Sequence, residues 1–343
     1  MNWREQIAAR GYDISLLDNP PYWVESIEDP FCAVFSHHES DNIINHATRQ
    51  LTKLALELVE EVCCSGRSEQ YFDRLHILPQ FRECIRRSWK RHDKSLYGRF
   101  DFSLNDSSLK LLELNFDTPT SLYESAQLQR MWLEEMRQLQ EIPFAATQNN
   151  SIQEKLTTCL RHDFSEHTIF HLSTFACAKE EIENIKYLQT CAETAGLRTQ
   201  LIYLDDVHYD TQGRLVDQQG RLITCLFKLC TWEMLFIEDT KSFSQTGKYL
   251  FSPQVTSNST TFIEPAWKSI LSNKETLPLL REFASNREFL LDSNFDALPT
   301  YRDYHLVIGS WVVGNEPAGL GVRAARSNST GRTALFIPHY VTE

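Results

Sequence analysis

The stretch from Tyr97 to Thr120 constrains the fold of this chain more than any other, because it can be folded on paper. It runs Tyr97-Gly98-Arg99-Phe100-Asp101-Phe102-Ser103-Leu104, then Asn105-Asp106-Ser107-Ser108, then Leu109-Lys110-Leu111-Leu112-Glu113-Leu114-Asn115-Phe116-Asp117-Thr118-Pro119-Thr120. Two apolar-rich runs around a polar turn predict a β-hairpin. Alternation places Arg99, Asp101 and Ser103 on one face of the first strand, with Phe100, Phe102 and Leu104 on the other. In the second strand Leu111, Glu113 and Asn115 are expected to share a face. With the turn at Asp106 to Ser108, Asp101 falls opposite Glu113 and Arg99 opposite Asn115.

Two carboxylates facing each other across a ladder normally destabilise it. A divalent cation between them removes the penalty. Mg²⁺ takes one or two carboxylates, with phosphate oxygens and water completing its shell. Asn115 adds an amide oxygen on the same face, and Arg99 is placed to meet a carboxylate or phosphate. The spacing fits an edge hairpin with a solvated polar face equally well, since charged strand faces are common.

Composition narrows the class. At 343 residues and 42% hydrophobic, the chain can bury a core for one large or two ordinary domains. A net charge of −12 argues against nucleic acid or an anionic membrane as partner through the overall field. The nine cysteines form no CxxC pair and read as reduced thiols of a cytoplasmic protein. No apolar run approaches a membrane span, and the N-terminus has no apolar stretch of a secretory signal. His37-His38 with Glu39 lack a second ligand pair at zinc spacing and read as surface residues.

Residues 41–64 predict an amphipathic helix, and Pro79 opens another over 80–91. Its basic face of Arg82, Arg86, Arg87, Lys90 and Arg91 reads as solvated. A third helix is expected over 121–142, with Glu124 near its start. Residues 167–173, 179–195 and 198–204 predict a β-α-β unit and a partly parallel sheet. A strand over 222–229 follows, ending at Trp232-Glu233. The Ser/Thr-rich segment 240–262 reads as a loop or crossing segment. Residues 309–323 predict two strands around a Gly/Pro/Asn turn, and a lone GxG there is weak evidence for phosphate.

Several segments, in this order, resemble the synthetase domain of the glutathionylspermidine synthase family. They are Tyr22-Trp23-Val24-Glu25-Ser26, Tyr97-Gly98-Arg99-Phe100-Asp101, Leu112-Glu113-Leu114-Asn115-Phe116-Asp117-Thr118-Pro119-Thr120-Ser121, Leu226-Phe227-Lys228-Leu229, Trp232-Glu233, Ile263-Glu264-Pro265-Ala266-Trp267-Lys268 with Ser272-Asn273-Lys274, Gly309-Ser310-Trp311 and Phe336-Ile337-Pro338-His339. The resemblance implies an α/β (α+β) ATP-grasp-like synthetase with a pre-ATP-grasp β-α-β lobe. It implies three regions in one synthetase unit: 1–164, helical with the metal-type hairpin; 165–235, the substrate lobe; and 236–343, a shortened ATP-grasp portion. The implied activity is a carboxylate–amine ligase using ATP and Mg²⁺ through an acyl phosphate. Metal ligands carry over to Asp101, Glu113 and Asn115, and the arginine beside the transferring phosphate to Arg99. The nucleotide lysine falls on Lys274 and a second arginine on Arg323. Thr118, Thr120, Glu180 and Glu181 fall on substrate contacts. The implied partners are a small carboxylate such as a thiol peptide, and an amine; whether the chain is a monomer or a homo-oligomer is left open.

One part of the pattern is missing. Between Asn273-Lys274 and Gly309-Ser310-Trp311 the family carries a Lys-Pro strand and an Arg-Glu-Gly lid loop, and neither occurs here. Ala324 also stands where the family usually has an acidic residue. The alternative expectation is therefore a catalytically inactive member that keeps a binding or scaffold role.

Overall fold

The computed structural model describes residues 3–13, 15, 31–105, 108–164, 169–178, 181–284, 300–301, 304–325 and 334–343. The expected Tyr22 to Ser26 motif, Glu180, and the interval 285–299 lie outside the described residues.

Strand β1 (Tyr97–Asn105) pairs antiparallel with β2 (Ser108–Asn115), with Arg99 opposite Asn115 and Asp101 opposite Glu113. One expectation fails. Past Asp101 the register shifts, so Phe102 pairs with Leu111 and Leu112 becomes the extra residue of a bulge. Leu111 then joins Phe100, Phe102, Leu109 and Leu114 in the core and does not share the face of Glu113. The bulge flips every side chain beyond it, which lets both ends of β2 bury leucines.

Helices α1 (His46–Cys64) and α2 (Pro79–Lys90) pack in the same core, and α3 (Gln129–Gln138) packs in a second one. The basic face of α2 is not simply solvated. Arg82 is buried and reaches Glu69 and Asp73, both at 2.5 Å, as well as the Ile77 carbonyl. Arg86 joins Glu69 and lies over the Phe72 ring. The acidic residues of Ser68–Arg74 supply counter-ions that a single-helix reading cannot see.

The β-α-β unit is present as β3 (Ile169–Thr174), α4 (Ile182–Thr194) and β4 (Arg198–Tyr203), with β3 and β4 parallel. Strands β5 (Cys225–Lys228) and β6 (Thr261–Ile263) extend it to a parallel sheet of order β4-β3-β5-β6. The segment expected to be loop is largely helical. It forms the end of α5 (Trp232–Thr246), then α6 (Ser252–Ser257) and β6. Its hydroxyls turn inward on the helix, Thr240 bonding the Phe236 carbonyl, Ser244 that of Thr240 and Thr246 that of Ser242. Thr231 caps the start of α5, and Gly247, at φ 74°, ends it. Asp239, fully buried, then accepts the N–H groups of Leu250, Phe251 and Ser252 at 2.6, 2.6 and 2.9 Å, which seats α6.

Strands β7 (Tyr304–Val313) and β8 (Glu316–Ala325) turn through Gly314-Asn315, at φ 58° and 65°, the left-handed pair a two-residue hairpin needs. With β9 (Leu335–Ile337) they complete the hairpin's sheet in the order β9-β8-β7-β1-β2, Thr300–Tyr301 pairing on β7. Each sheet draws strands from two of the three expected regions: β6 lies beyond residue 235 yet completes the parallel sheet, and β7 to β9 complete the sheet that β1 begins. No described helix is long and apolar enough to cross a membrane. All nine cysteines are free, including the adjacent Cys63 and Cys64.

Replacing Asp239 with alanine strands three N–H groups in a buried place. The expected loss is about 3 kcal/mol of unfolding free energy. Urea denaturation of Asp239→Ala checks this, and an unchanged midpoint would show that α6 is held by something else.

Candidate functional site

The polar face of the hairpin converges on Asp101, which is 1% exposed. Arg99 Nε donates to its Oδ1 at 2.6 Å and a terminal nitrogen donates to Oδ2 at 3.2 Å. Arg323, on β8 across two strand pairings, donates to Oδ2 at 2.6 Å, and the Asn115 amide donates there at 3.0 Å. Arg99 also donates to the Thr120 carbonyl at 2.6 Å and lies 5.4 Å from the Trp311 ring centroid. Glycines clear its path: a Cβ on Gly309, the residue paired with Asp101, would sit 2.7 Å from Arg99 Cδ. Burial pushes the Asp101 carboxyl up, but the Arg99 and Arg323 guanidiniums outweigh it and hold the group below its ordinary value. Two guanidiniums on one buried carboxylate, Arg99 buried and Arg323 half-buried, present donors suited to a phosphate.

The donor set also fits Mg²⁺. Among the described residues Asp101 Oδ1 accepts one bond, from Arg99, which leaves a lone pair. Glu113 is exposed opposite it, and neither its carboxylate nor Asn115 Oδ1 has a hydrogen-bond partner among the described residues. Two carboxylates and an amide oxygen are the hard donors this ion prefers. Among the described residues no group of three His, Cys, Asp or Glu gathers, as expected where the third donor is an amide.

The other expected residues lie around this centre. Ser272 Oγ accepts the N–H groups of Phe116 and Asp117 at 2.8 and 2.6 Å, which ties the Lys274 loop to the end of the hairpin. Lys274 itself is exposed, Thr118 half-buried and Thr120 exposed, the last joined to Arg99 through its carbonyl only. Glu181 is half-buried at the start of α4. Direct contact therefore gathers Arg99, Asp101, Asn115 and Arg323; Glu113 joins by register, and Lys274 and Thr118 stand outside that bonded group.

Sequence reasoning assigned no role to two buried ion pairs beneath the site. Lys228 Nζ meets Asp117 Oδ1 at 2.6 Å, while Asp117 Oδ2 caps the Trp232 N–H at 2.5 Å. Lys268 Nζ meets Glu264 at 3.1 Å, and that carboxylate accepts the N–H groups of Leu96 and Tyr97. Burial drives the Glu264 carboxyl up and the Lys268 amine down, and each is the counter-ion that opposes the other's shift. The available signal was a lysine inside the otherwise apolar run Cys225–Lys228. Glu124 was given no role either. It is 5% exposed, and its Oε2 has no hydrogen-bond partner among the described residues. Burial pushes its carboxyl up to about 7, against its own backbone N–H and Arg99.

The mixed parallel and antiparallel sheets around this arginine–carboxylate centre have the fold of a glutathione synthetase-like protein. A glutathione synthetase-like effector from Globodera pallida superposes with a TM-score of 0.56 over 91% of this chain and 89% of that one, at 10% identity, a likeness of fold alone. The family model for the glutathionylspermidine synthase preATP-grasp region matches residues 1–304 and 293–342, and the chain belongs to that family. A Haemophilus influenzae protein named as an acid–amine ligase is 29% identical, covering 96% of this chain and 93% of its own length. The Escherichia coli bifunctional glutathionylspermidine synthetase/amidase is 24% identical over 78% of this chain, which spans only 44% of that enzyme. The trypanothione synthetase of Crithidia fasciculata is 21% identical over 74% of this chain and 48% of its own length. These relatives are ligases. The first match extends over 391 positions, more than the 343 residues here, so that relative carries sequence with no counterpart in this chain.

Glu124 yields a pH prediction. Its folded value of about 7 lies above its ordinary value, so the fold holds the extra proton between the two. Stability then falls as pH rises from about 4.5 to about 7. Glu124→Gln is expected to match the parent at pH 5 and to exceed its melting temperature at pH 8. Equal differences at both pH values would mean that Glu124 does not titrate in this range.

Proposed function

We propose that this chain is an ATP- and Mg²⁺-dependent ligase that joins a carboxylate to an amine through an acyl phosphate. The observation that carries this is the convergence of Arg99 and Arg323 on one buried carboxylate, beside two further hard oxygen donors, Glu113 and Asn115. A substrate carboxylate oxygen attacks the γ-phosphorus of ATP and ADP leaves. The amine lone pair then attacks the acyl carbon, phosphate leaves and the amine gives up a proton.

Such chemistry asks the protein for position and charge more than for covalent work. Arg99 and Arg323 hold phosphoryl oxygens and offset the charge that develops on them. Asp101, Glu113 and Asn115 would hold Mg²⁺, which supplies further neutralisation when bound. Lys274 reaches the nucleotide. Thr118 and Thr120 take the acid, glutathione or another peptide, while Glu180 and Glu181 favour a cationic amine such as a polyamine. A second reading has its own support: the missing Lys-Pro and Arg-Glu-Gly segment and the longer relative favour a non-catalytic binding member.

Calorimetry with Mg-ATP separates the two. Glu113 is exposed, so Glu113→Gln tests the metal without disturbing the core, whereas Asp101→Ala leaves two arginines without a counter-ion. Saturable binding is expected to weaken at least tenfold, about 1.4 kcal/mol, in Glu113→Gln and on removing Mg²⁺. No binding by a protein whose circular dichroism shows it folded would sink the ligase reading in favour of the second.

A further inference from the structure

A void of about 10 Å³ lies beside the arginine pair, between the sheet and the helical segment that runs into α3. That volume admits one atom of the size of oxygen. Two glycines make the room. Gly309 and Gly321 pair across β7 and β8. A Cβ on Gly321 would run into Ser125 Oγ, and one on Gly309 into the Arg99 side chain.

The polar lining is almost entirely donor. Arg99 and Arg323 both line the void, and a guanidinium has five N–H groups and no acceptor. Arg323 engages Asp101 through one nitrogen, and Arg99 engages Asp101 and the Thr120 carbonyl through three, so each keeps N–H groups over. Trp311 also lines the void and is fully buried, and its Nε1 has no acceptor among the described residues. A buried donor left in that state is costly and calls for a partner. Ser121 and Ser125 add hydroxyls from the helical side, and Ser125 is 1% exposed. Water is a poor occupant, because both its hydrogens need acceptors and only the two hydroxyls offer them. An oxyanion accepts from all of these groups at once. The nearby acids do not oppose one. Asp101 is matched by two arginines, and Glu124, which does not line the void, keeps its proton up to about 7 because it is buried.

We propose that this void takes one oxygen of a phosphoryl group, with Ser125 Oγ and Trp311 Nε1 donating to it beside Arg99 and Arg323. The phosphorus stays outside, since there is room for a single atom. The assignment rests on the ligase reading for the source of the phosphoryl group, and it adds two residues that the sequence gave no role. Neither residue carries charge, so their part is to fix where the oxygen sits while the arginines neutralise it.

The test reads the Trp311 indole N–H by NMR of the nitrogen-15-labelled protein near pH 6, where Glu124 is protonated. Trp311→Phe keeps a ring over Arg99 and identifies the signal among the seven tryptophans. Inorganic phosphate is expected to move that signal saturably, and sodium chloride at equal ionic strength to leave it in place. Ser125→Ala is expected to weaken the fitted phosphate affinity about tenfold. The signal is read in the unaltered protein, so the test stands even if a variant fails to fold. A Trp311 signal that phosphate leaves in place, or that chloride moves as far, would overturn the proposal. So would a folded Ser125→Ala protein that binds phosphate as the parent does. Mg-ATP added to the same sample keeps the two readings apart: nucleotide bound with the Trp311 signal unmoved sinks only the void assignment, and a signal moved by phosphate without nucleotide binding sinks only the ligase.

Discussion

Two buried lysine–carboxylate pairs hold the site in place, because they fasten one sheet to the other. Lys228 comes from the parallel sheet and Asp117 from the end of the hairpin. Glu264 follows β6 of the parallel sheet and accepts N–H groups where β1 begins, with Lys268 as counter-ion. All four residues are 2% exposed or less. Apolar contacts alone would let two sheets slide. A buried charge must keep its partner, since leaving it alone costs several kcal/mol, so these pairs specify one relative placement of the sheets. Trp232 belongs to both ends of this arrangement, its backbone N–H bonded to Asp117 and its indole to the Glu264 carbonyl.

That placement makes the cluster at Asp101 a matter of assembly. Arg99 and Arg323 stand 224 positions apart in the numbering yet share one carboxylate, because β7 lies between their strands. The small residues of β7 and β8 serve the same end. Gly309 leaves room for the Arg99 side chain to lie across the sheet, and Gly321 leaves room for Ser125. The outcome is two guanidinium groups gathered on a buried carboxylate, with hard oxygen donors at the exposed edge. Those are the two properties a phosphate and its cation require together.

A cavity lies beside Lys274, between the 75–78 loop, the 272–275 loop and α5. The family model matches in two stretches that meet over 293–304, where the expected segment is missing. Of the loop residues, Lys274 stays tied to the hairpin through Ser272 and faces a cavity with an aromatic wall. Part of this wall, Phe81 and Leu78, comes from the start of α2, and the rest from α5.

Much of this was legible in the residues. Alternation in 97–115 set which side chains share the polar face, because a strand has a period of two and one face must be buried. The β-α-β unit and the C-terminal hairpin were legible for the same local reasons: periodicity and a Gly/Pro/Asn turn. The bulge at Leu112, the helices in 240–257, the burial of Arg82 and the two ion pairs were not. Each depends on a partner outside the element itself: a core that wants Leu111, a carboxylate at Asp239 that seats the next helix, acids on a neighbouring helix, a lysine in another sheet. Local pattern by itself determined the elements and the chemistry on their faces. Only the tertiary structure decided which charges meet, because the energy of a buried charge is set by whatever the fold brings within a few ångströms of it.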